Sequence, residues 1–221
     1  MRLLIVNPNS TASMTAAIGA AARTVAGPAT DVVAVNPPDG PASIESDDDE
    51  RRCIPGLLTE VHRAEAGENP PDAYVIACFG DPGLDRVRAA VGVPVLGIAQ
   101  AAMHAAALSA GSFSVVTSMS ATVPTAWELA KTYTPRQCLG VHASDIPVLQ
   151  IDSDPSTIDP IGDLCEKALV QDGSRAIVLG CAAMAKFASP LTERLGVPVV
   201  DGVVAATLLA EALVRLRPIT E

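Results

Sequence analysis

Two of the five cysteines stand in matched settings in the two halves of this chain. Cys78 ends the apolar run Ala73-Tyr74-Val75-Ile76-Ala77 and is followed by Phe79-Gly80-Asp81-Pro82-Gly83. Cys181 ends Ala176-Ile177-Val178-Leu179-Gly180 and is followed by Ala182-Ala183-Met184. An amphipathic stretch comes after each, then the same tetrapeptide, Gly92-Val93-Pro94-Val95 and Gly196-Val197-Pro198-Val199, at spacings that differ by one residue. This is an internal repeat that offers one thiol per half at a strand end, where open α/β sheets place their ligands. Two thiols facing each other across one small molecule form a two-base proton-transfer site. The thiolate of one takes a proton from one face of a carbon, and the thiol of the other returns a proton to the opposite face. No cofactor and no metal is needed.

That chemistry sets demands on the surroundings. A free thiol ionises near pH 8.5, and a helix N-terminus lowers that value by aiming N–H groups at the sulfur. Both cysteines precede amphipathic segments, so lowered pKa values are expected. The carbanion must be held as an enolate, and backbone N–H groups are suitable donors for its oxygen. Phe79-Gly80-Asp81 and Ala182-Ala183 supply such groups, with small residues that allow close approach. A single cysteine at a strand end is most often a buried core residue. Two at equivalent points of a repeat shift the balance toward chemistry, whereas Cys53, Cys138 and Cys165 lack that context and read as structural.

Strand-like and helix-like segments alternate along the chain. Strands are expected at Leu3–Asn7, Asp31–Val35, Ala73–Cys78, Val95–Ile98, Phe113–Thr117, Cys138–Val141, Ala176–Leu179 and Val199–Val200. Helices are expected at Thr11–Thr24, Glu50–Ala66, Ala99–Ala110, Val123–Tyr133, Ile161–Gln171 and Asp201–Leu216. Several strands are continuously apolar, as in parallel sheets covered on both faces. The fold class is α/β: two pseudo-symmetric lobes of mainly parallel sheet flanked by helices, with the active site in the cleft between them. The expected division is a first lobe over 1–112, a second over 113–200, and a C-terminal helix over 201–221 that packs back onto the first lobe.

Composition narrows the function classes. With 221 residues, 49% hydrophobic, the chain can bury a sizeable core. No apolar run approaches the roughly 18 residues of a membrane span. The N-terminus reads as a buried first strand rather than a signal peptide, so a cytoplasmic protein without membrane contact is expected. The net charge of −10 and 3% aromatic residues argue against a nucleic-acid partner. The acidic patch Glu45 and Asp47-Asp48-Asp49-Glu50 reads as a solvated loop entering a helix. His62, His104 and His142 are scattered without metal-ligand spacing. A homo-oligomer is the expected assembly.

At the two cysteine segments the sequence resembles the aspartate/glutamate racemase superfamily, and most closely its hydantoin racemase and allantoin racemase branch. Asn7-Pro8-Asn9-Ser10, Gly40-Pro41-Ala42-Ser43-Ile44, Val115-Val116-Thr117 and the tail Gly196–Val203 extend the resemblance over nearly the whole chain. It implies Cys78 and Cys181 as the acid/base pair. Asn7, Phe79, Gly80, Asp81, Thr117, Ser118, Ala182 and Ala183 would line a ring pocket, with Pro8 and Ile44 as apolar wall. The implied substrate is a small neutral ring, a 5-substituted hydantoin or allantoin, and no cofactor. Amino-acid racemases carry Asn-Thr and Thr-Glu or Thr-His after their cysteines to grip ammonium and carboxylate. Here those places hold Phe79-Gly80 and Ala182-Ala183, leaving no charged grip near either thiol. Two departures from the branch stand out: Ala183 in place of glycine, and His142 where many relatives have arginine. Competing readings are an amino-acid racemase or cis–trans isomerase of the same superfamily, and a non-catalytic small-molecule binding protein on the same fold.

Overall fold

Four parallel strands in the order β2-β1-β3-β4 form one sheet, and four in the order β6-β5-β7-β8 form another. The computed structural model describes residues 1–217. The first sheet comprises β1 (Arg2–Val6), β2 (Asp31–Val35), β3 (Ala73–Ile76) and β4 (Val95–Gly97). The second comprises β5 (Phe113–Thr117), β6 (Cys138–Ala143), β7 (Ile177–Gly180) and β8 (Val199–Asp201). The central strands β1, β3, β5 and β7 are almost wholly buried, which accounts for their unbroken apolar sequences.

The helices are α1 (Ala12–Arg23), α2 (Asp47–Glu65), α3 (Leu84–Ala90), α4 (Ile98–Ala110), α5 (Val123–Tyr133), α6 (Val148–Ser153), α7 (Ile158–Asp172), α8 (Ala188–Leu195) and α9 (Gly202–Leu216). Residues 218–221, the end of the expected C-terminal segment, lie outside the described residues. Helix α2 begins at Asp47, earlier than the expected Glu50. Ser46 caps it by accepting from the Asp49 N–H at 3.2 Å, and the acids fill the first turn, where the helix dipole favours them. Helix α4 stops at Gly111, whose φ of 80° suits a residue without Cβ. The expected sequence pattern contained no counterpart of α6, whose six residues are too few to show a helical period.

Two helices are exchanged between the sheets. Helix α4 leaves the first sheet, yet Ala99, Ala102, Met103 and Ala106 pack with Phe113, Val115, Ala176 and Val178 of the second. Helix α9 leaves the second sheet, and Val203, Ala205, Ala206 and Ala210 pack with Leu3, Ile5, Ala73 and Val75 of the first. The two N-termini are capped differently. Asp201 caps α9 with its own carboxylate, accepting from Val203 and Val204 N–H at 3.1 and 2.9 Å. The equivalent position before α4 is Gly97, and the cap comes instead from Asp81, which accepts from Ala99 and Gln100 N–H at 3.0 and 2.9 Å. A Cβ at Gly97 would run into that carboxylate, so the glycine makes room for a cap supplied from the loop after β3.

Candidate active site

The strand ends of both sheets open onto one cavity between the lobes. Cys78, after β3, and Cys181, after β7, both line it. The backbone folds the same way after each. Asp81 N–H donates to the Cys78 carbonyl, and Met184 N–H to the Cys181 carbonyl, each at 3.0 Å. In this turn the N–H two residues on, from Gly80 or Ala183, points back at its cysteine's sulfur. The intervening N–H groups, of Phe79 and Ala182, have no protein acceptor among the described residues, and both residues line the cavity. The repeat in the sequence is therefore a repeat of geometry: one thiol, one N–H on its sulfur and one free N–H from each half.

The thiols are not activated in the way the sequence led us to expect. Neither sits on an α-helix N-terminus. A turn separates Cys78 from α3, and a 3-10 segment, Ala182–Phe187, separates Cys181 from α8. Burial dominates instead. It pushes the Cys78 thiol well above its ordinary value, against the pull of the Gly80 N–H. It pushes Cys181 up to about 11, against the Ala183 and Met184 N–H groups and the Ser118 hydroxyl. Burial thus favours the neutral thiol form of both cysteines.

Ile44, Phe79, Gly80, Thr117, Ser118 and Ala182 also line the cavity. Thr117 is held at the end of β5, donating to the Gly180 carbonyl at 3.1 Å and lying 3.0 Å from the Thr122 hydroxyl. Four expected residues do not line it. The Asn7 side chain donates to Asn9 Oδ1 at 2.8 Å and Thr15 Oγ1 at 3.0 Å, so it braces the loop and leaves Asn9 to face the cavity. Pro8 is buried in the same loop, away from the cavity. Asp81 is turned toward α4 as its cap and toward Tyr133 of α5, with burial raising its pKa to about 7. The Ala183 methyl packs in an apolar cluster with Met14, Val148 and Phe187. His142 lies elsewhere, 2.7 Å from Asp172, which also accepts from Ser114.

The structure adds residues that strand-end reasoning missed. Met14 of α1, Glu50 of α2, Thr122, Thr125 and Ala126 around the start of α5, and Val148 of α6 complete the lining. Helix starts that converge from other segments leave no spacing signal in sequence. The acidic patch is not simply solvated. The Glu45 side chain caps α6 in the other lobe, accepting from Val148 N–H at 3.0 Å. Glu50 of α2 borders the cavity beside Cys78, so a remote segment brings a carboxyl where the two cysteine turns themselves supply no charged grip. Among the described residues, no group of three or more His, Cys, Asp or Glu side chains could hold a metal ion. Nor is any described helix long and apolar enough to cross a membrane.

Comparison with known proteins is consistent across sequence and structure. The model of the Asp/Glu/Hydantoin racemase family matches residues 3–210. A hydantoin racemase of Rhizobium meliloti is 45% identical over 215 residues, covering 96% of this chain and 88% of that protein. The solved allantoin racemase of Klebsiella pneumoniae superposes with a TM-score of 0.93 at 44% identity, covering 98% of this chain and 88% of that one. The allantoin racemase of Pseudomonas fluorescens gives 0.92 at 37% identity, covering 98% and 92%. Likeness of this extent, carried through both cysteine turns and both sheets, means that the chain belongs to the Asp/Glu/Hydantoin racemase family.

Proposed function

We propose that this protein racemises a 5-monosubstituted hydantoin or allantoin, with Cys78 and Cys181 as the two proton-transfer residues. The observation that carries this reading is the pair of equivalent turns, each aiming one thiol into the same cavity. One cysteine, as thiolate, removes the proton from the ring carbon next to the carbonyl. The electron pair moves into that carbonyl to give an enolate. The other cysteine, as thiol, delivers its proton to the opposite face, and the enolate collapses to the mirror-image ring. The reverse reaction exchanges the two roles.

The free N–H groups of Phe79 and Ala182 suit the enolate oxygen, and each such donor is worth about 10²–10³ in rate. The Gly80 and Ala183 N–H groups favour the thiolate form of their own cysteine. Phe79, Met14, Ile44 and Val148 give the cavity apolar walls for the ring and its substituent. A cytoplasmic homo-oligomer remains part of this reading.

The test uses single enantiomers of 5-substituted hydantoins and allantoin in deuterated buffer, following optical rotation and deuterium uptake together. The intact protein should racemise at least one of them, placing deuterium in the inverted product. Cys78→Ser and Cys181→Ser should each abolish racemisation, while one-faced exchange survives in a variant that retains the abstracting thiol. An intact protein that neither racemises nor exchanges any of these rings above the buffer rate would refute the reading.

A further inference from the structure

Among the residues lining the cavity, Glu50 is the one with an acidic carboxyl group. It sits in the first turn of α2, and its carboxyl lies over the Gly80 backbone, so close that a Cβ on Gly80 would collide with it. It also borders an outer, open pocket lined by Asp47, Arg51, Asp81 and Thr125. It therefore stands where the cavity meets solvent. No protein hydrogen bond holds the carboxyl among the described residues; burial and the neighbouring Asp47 act on it, and both raise its pKa, to about 7. A half-buried carboxyl without a protein partner, at the entrance to a cavity of otherwise uncharged side chains, is available to whatever enters.

We propose that Glu50 sets substrate specificity, accepting a ring N–H of a neutral cyclic ureide and repelling molecules that bring a carboxylate of their own. This rests on the racemase reading above and names the substrate class of that same site. A ring ureide carries N–H donors on both sides of its urea carbonyl, which a carboxylate can accept. Free amino acids, malonates and ring-opened carbamoyl acids carry an anion instead. Two like charges several ångströms apart in a partly buried site cost enough to reduce binding tenfold or more.

Other groups face Glu50 and must be separated from it. Asp47, Arg51 and Cys53 lie on α2, Cys78 and Asp81 follow β3, and α5 contributes the neutral Thr125. Both thiols are held far above neutrality by burial. Asp81 titrates in the same range as Glu50 but is turned toward α4, so only a Glu50 substitution assigns the effect.

The experiment compares hydantoin-5-acetamide with hydantoin-5-acetate, which match in shape and differ in charge, by the ratio of their kcat/KM values. A general loss of activity cancels in that ratio. At pH 8 the intact enzyme should favour the amide tenfold or more. Glu50→Gln should bring the ratio to within about threefold of unity, and Glu50→Asp should retain the preference. In the intact enzyme the preference should shrink as pH falls from 8 to 6, because Glu50 gains its proton while the substrate carboxylate, with a pKa near 4, stays ionised. A ratio that is unchanged in Glu50→Gln overturns the assignment. Should that variant not fold, a pH-independent ratio in the intact enzyme does so. If the intact enzyme acts on neither compound, its action on allantoin and other 5-substituted hydantoins separates the two outcomes: activity there overturns this assignment alone, and none overturns the racemase reading as well.

Discussion

Replacing Asp81 by alanine should destabilise the protein and disable the Cys78 side of the site at once. Its carboxylate caps α4 through Ala99 and Gln100 N–H, and Asp81 is only 6% exposed. Loss of a helix cap costs about 0.5–2 kcal/mol, and leaving a buried N–H without a partner costs about 1–3 kcal/mol. Ala99 is fully buried, so water does not simply replace the lost acceptor. A net loss of roughly 2–4 kcal/mol follows, or a fall of about 5–15 °C in Tm for a chain of this size. Asp81 also has a φ of 46°, and alanine tolerates that left-handed backbone less well than aspartate. Asp81→Gly removes the carboxylate without that strain and should recover only about 1 kcal/mol. Calorimetry at pH 8, where the carboxyl is ionised, would measure the series beside Asp39→Ala, an exposed control expected within about 0.5 kcal/mol of the parent. Racemisation by Asp81→Gly should fall about 10- to 100-fold, because the Gly80–Asp81 turn that orients Cys78 loses its anchor. A Tm within 1 °C of the parent in Asp81→Ala would refute the capping argument. Full recovery of stability by glycine would assign the effect to the backbone instead.

Further outcomes follow from the same geometry. Ala183→Gly keeps the N–H on Cys181 and removes one buried methyl, so it should cost about 1–2 kcal/mol by denaturant titration yet hold kcat within a few-fold. Gly80→Ala pushes the Glu50 carboxyl, a flexible side-chain end that no protein hydrogen bond holds, off the Gly80 backbone and should lower kcat/KM by no more than about tenfold in the polarimetric assay. Because burial raises both thiol pKa values, the thiolate fraction of the free enzyme grows with pH through the neutral range. The rate for a neutral hydantoin, corrected for buffer racemisation, should therefore climb from pH 6 to 9, and a flat profile would contradict the raised values.

Most of the architecture was legible because it is periodic. Apolar runs closed by Gly, Pro or Asn marked the strands, and the repeated tetrapeptide exposed the pseudo-symmetry. The cysteine pair was legible for the same reason. The second ring of the site was not. Asn7 and Asn9 look alike in sequence, and only the Thr15 hydroxyl, reaching over from α1, decides which of them faces the cavity. Asp81 has the residue type of a ligand-binding group, but Gly97 lacks a side chain with which to cap α4, and this claims the carboxylate. Glu50 was hidden in a run of acids whose other members do not line the cavity. The depressed thiol pKa values were expected from helix N-termini, but a turn and a 3-10 segment stand between the two cysteines and α3 and α8.

The exchange of α4 and α9 also bears on how the chain is made. The first half, once synthesised, holds four paired strands whose buried face lacks the helix that covers it. That helix is synthesised only after the whole of the second sheet. The usual order, in which an N-terminal unit completes itself while the remainder is still being translated, is closed to this protein. Leu3, Ile5 and Val75 must stay incompletely covered until α9 arrives. A nascent or truncated molecule that lacks α9 keeps part of this apolar sheet face bare. Its exposed sheet face is a target for chaperones.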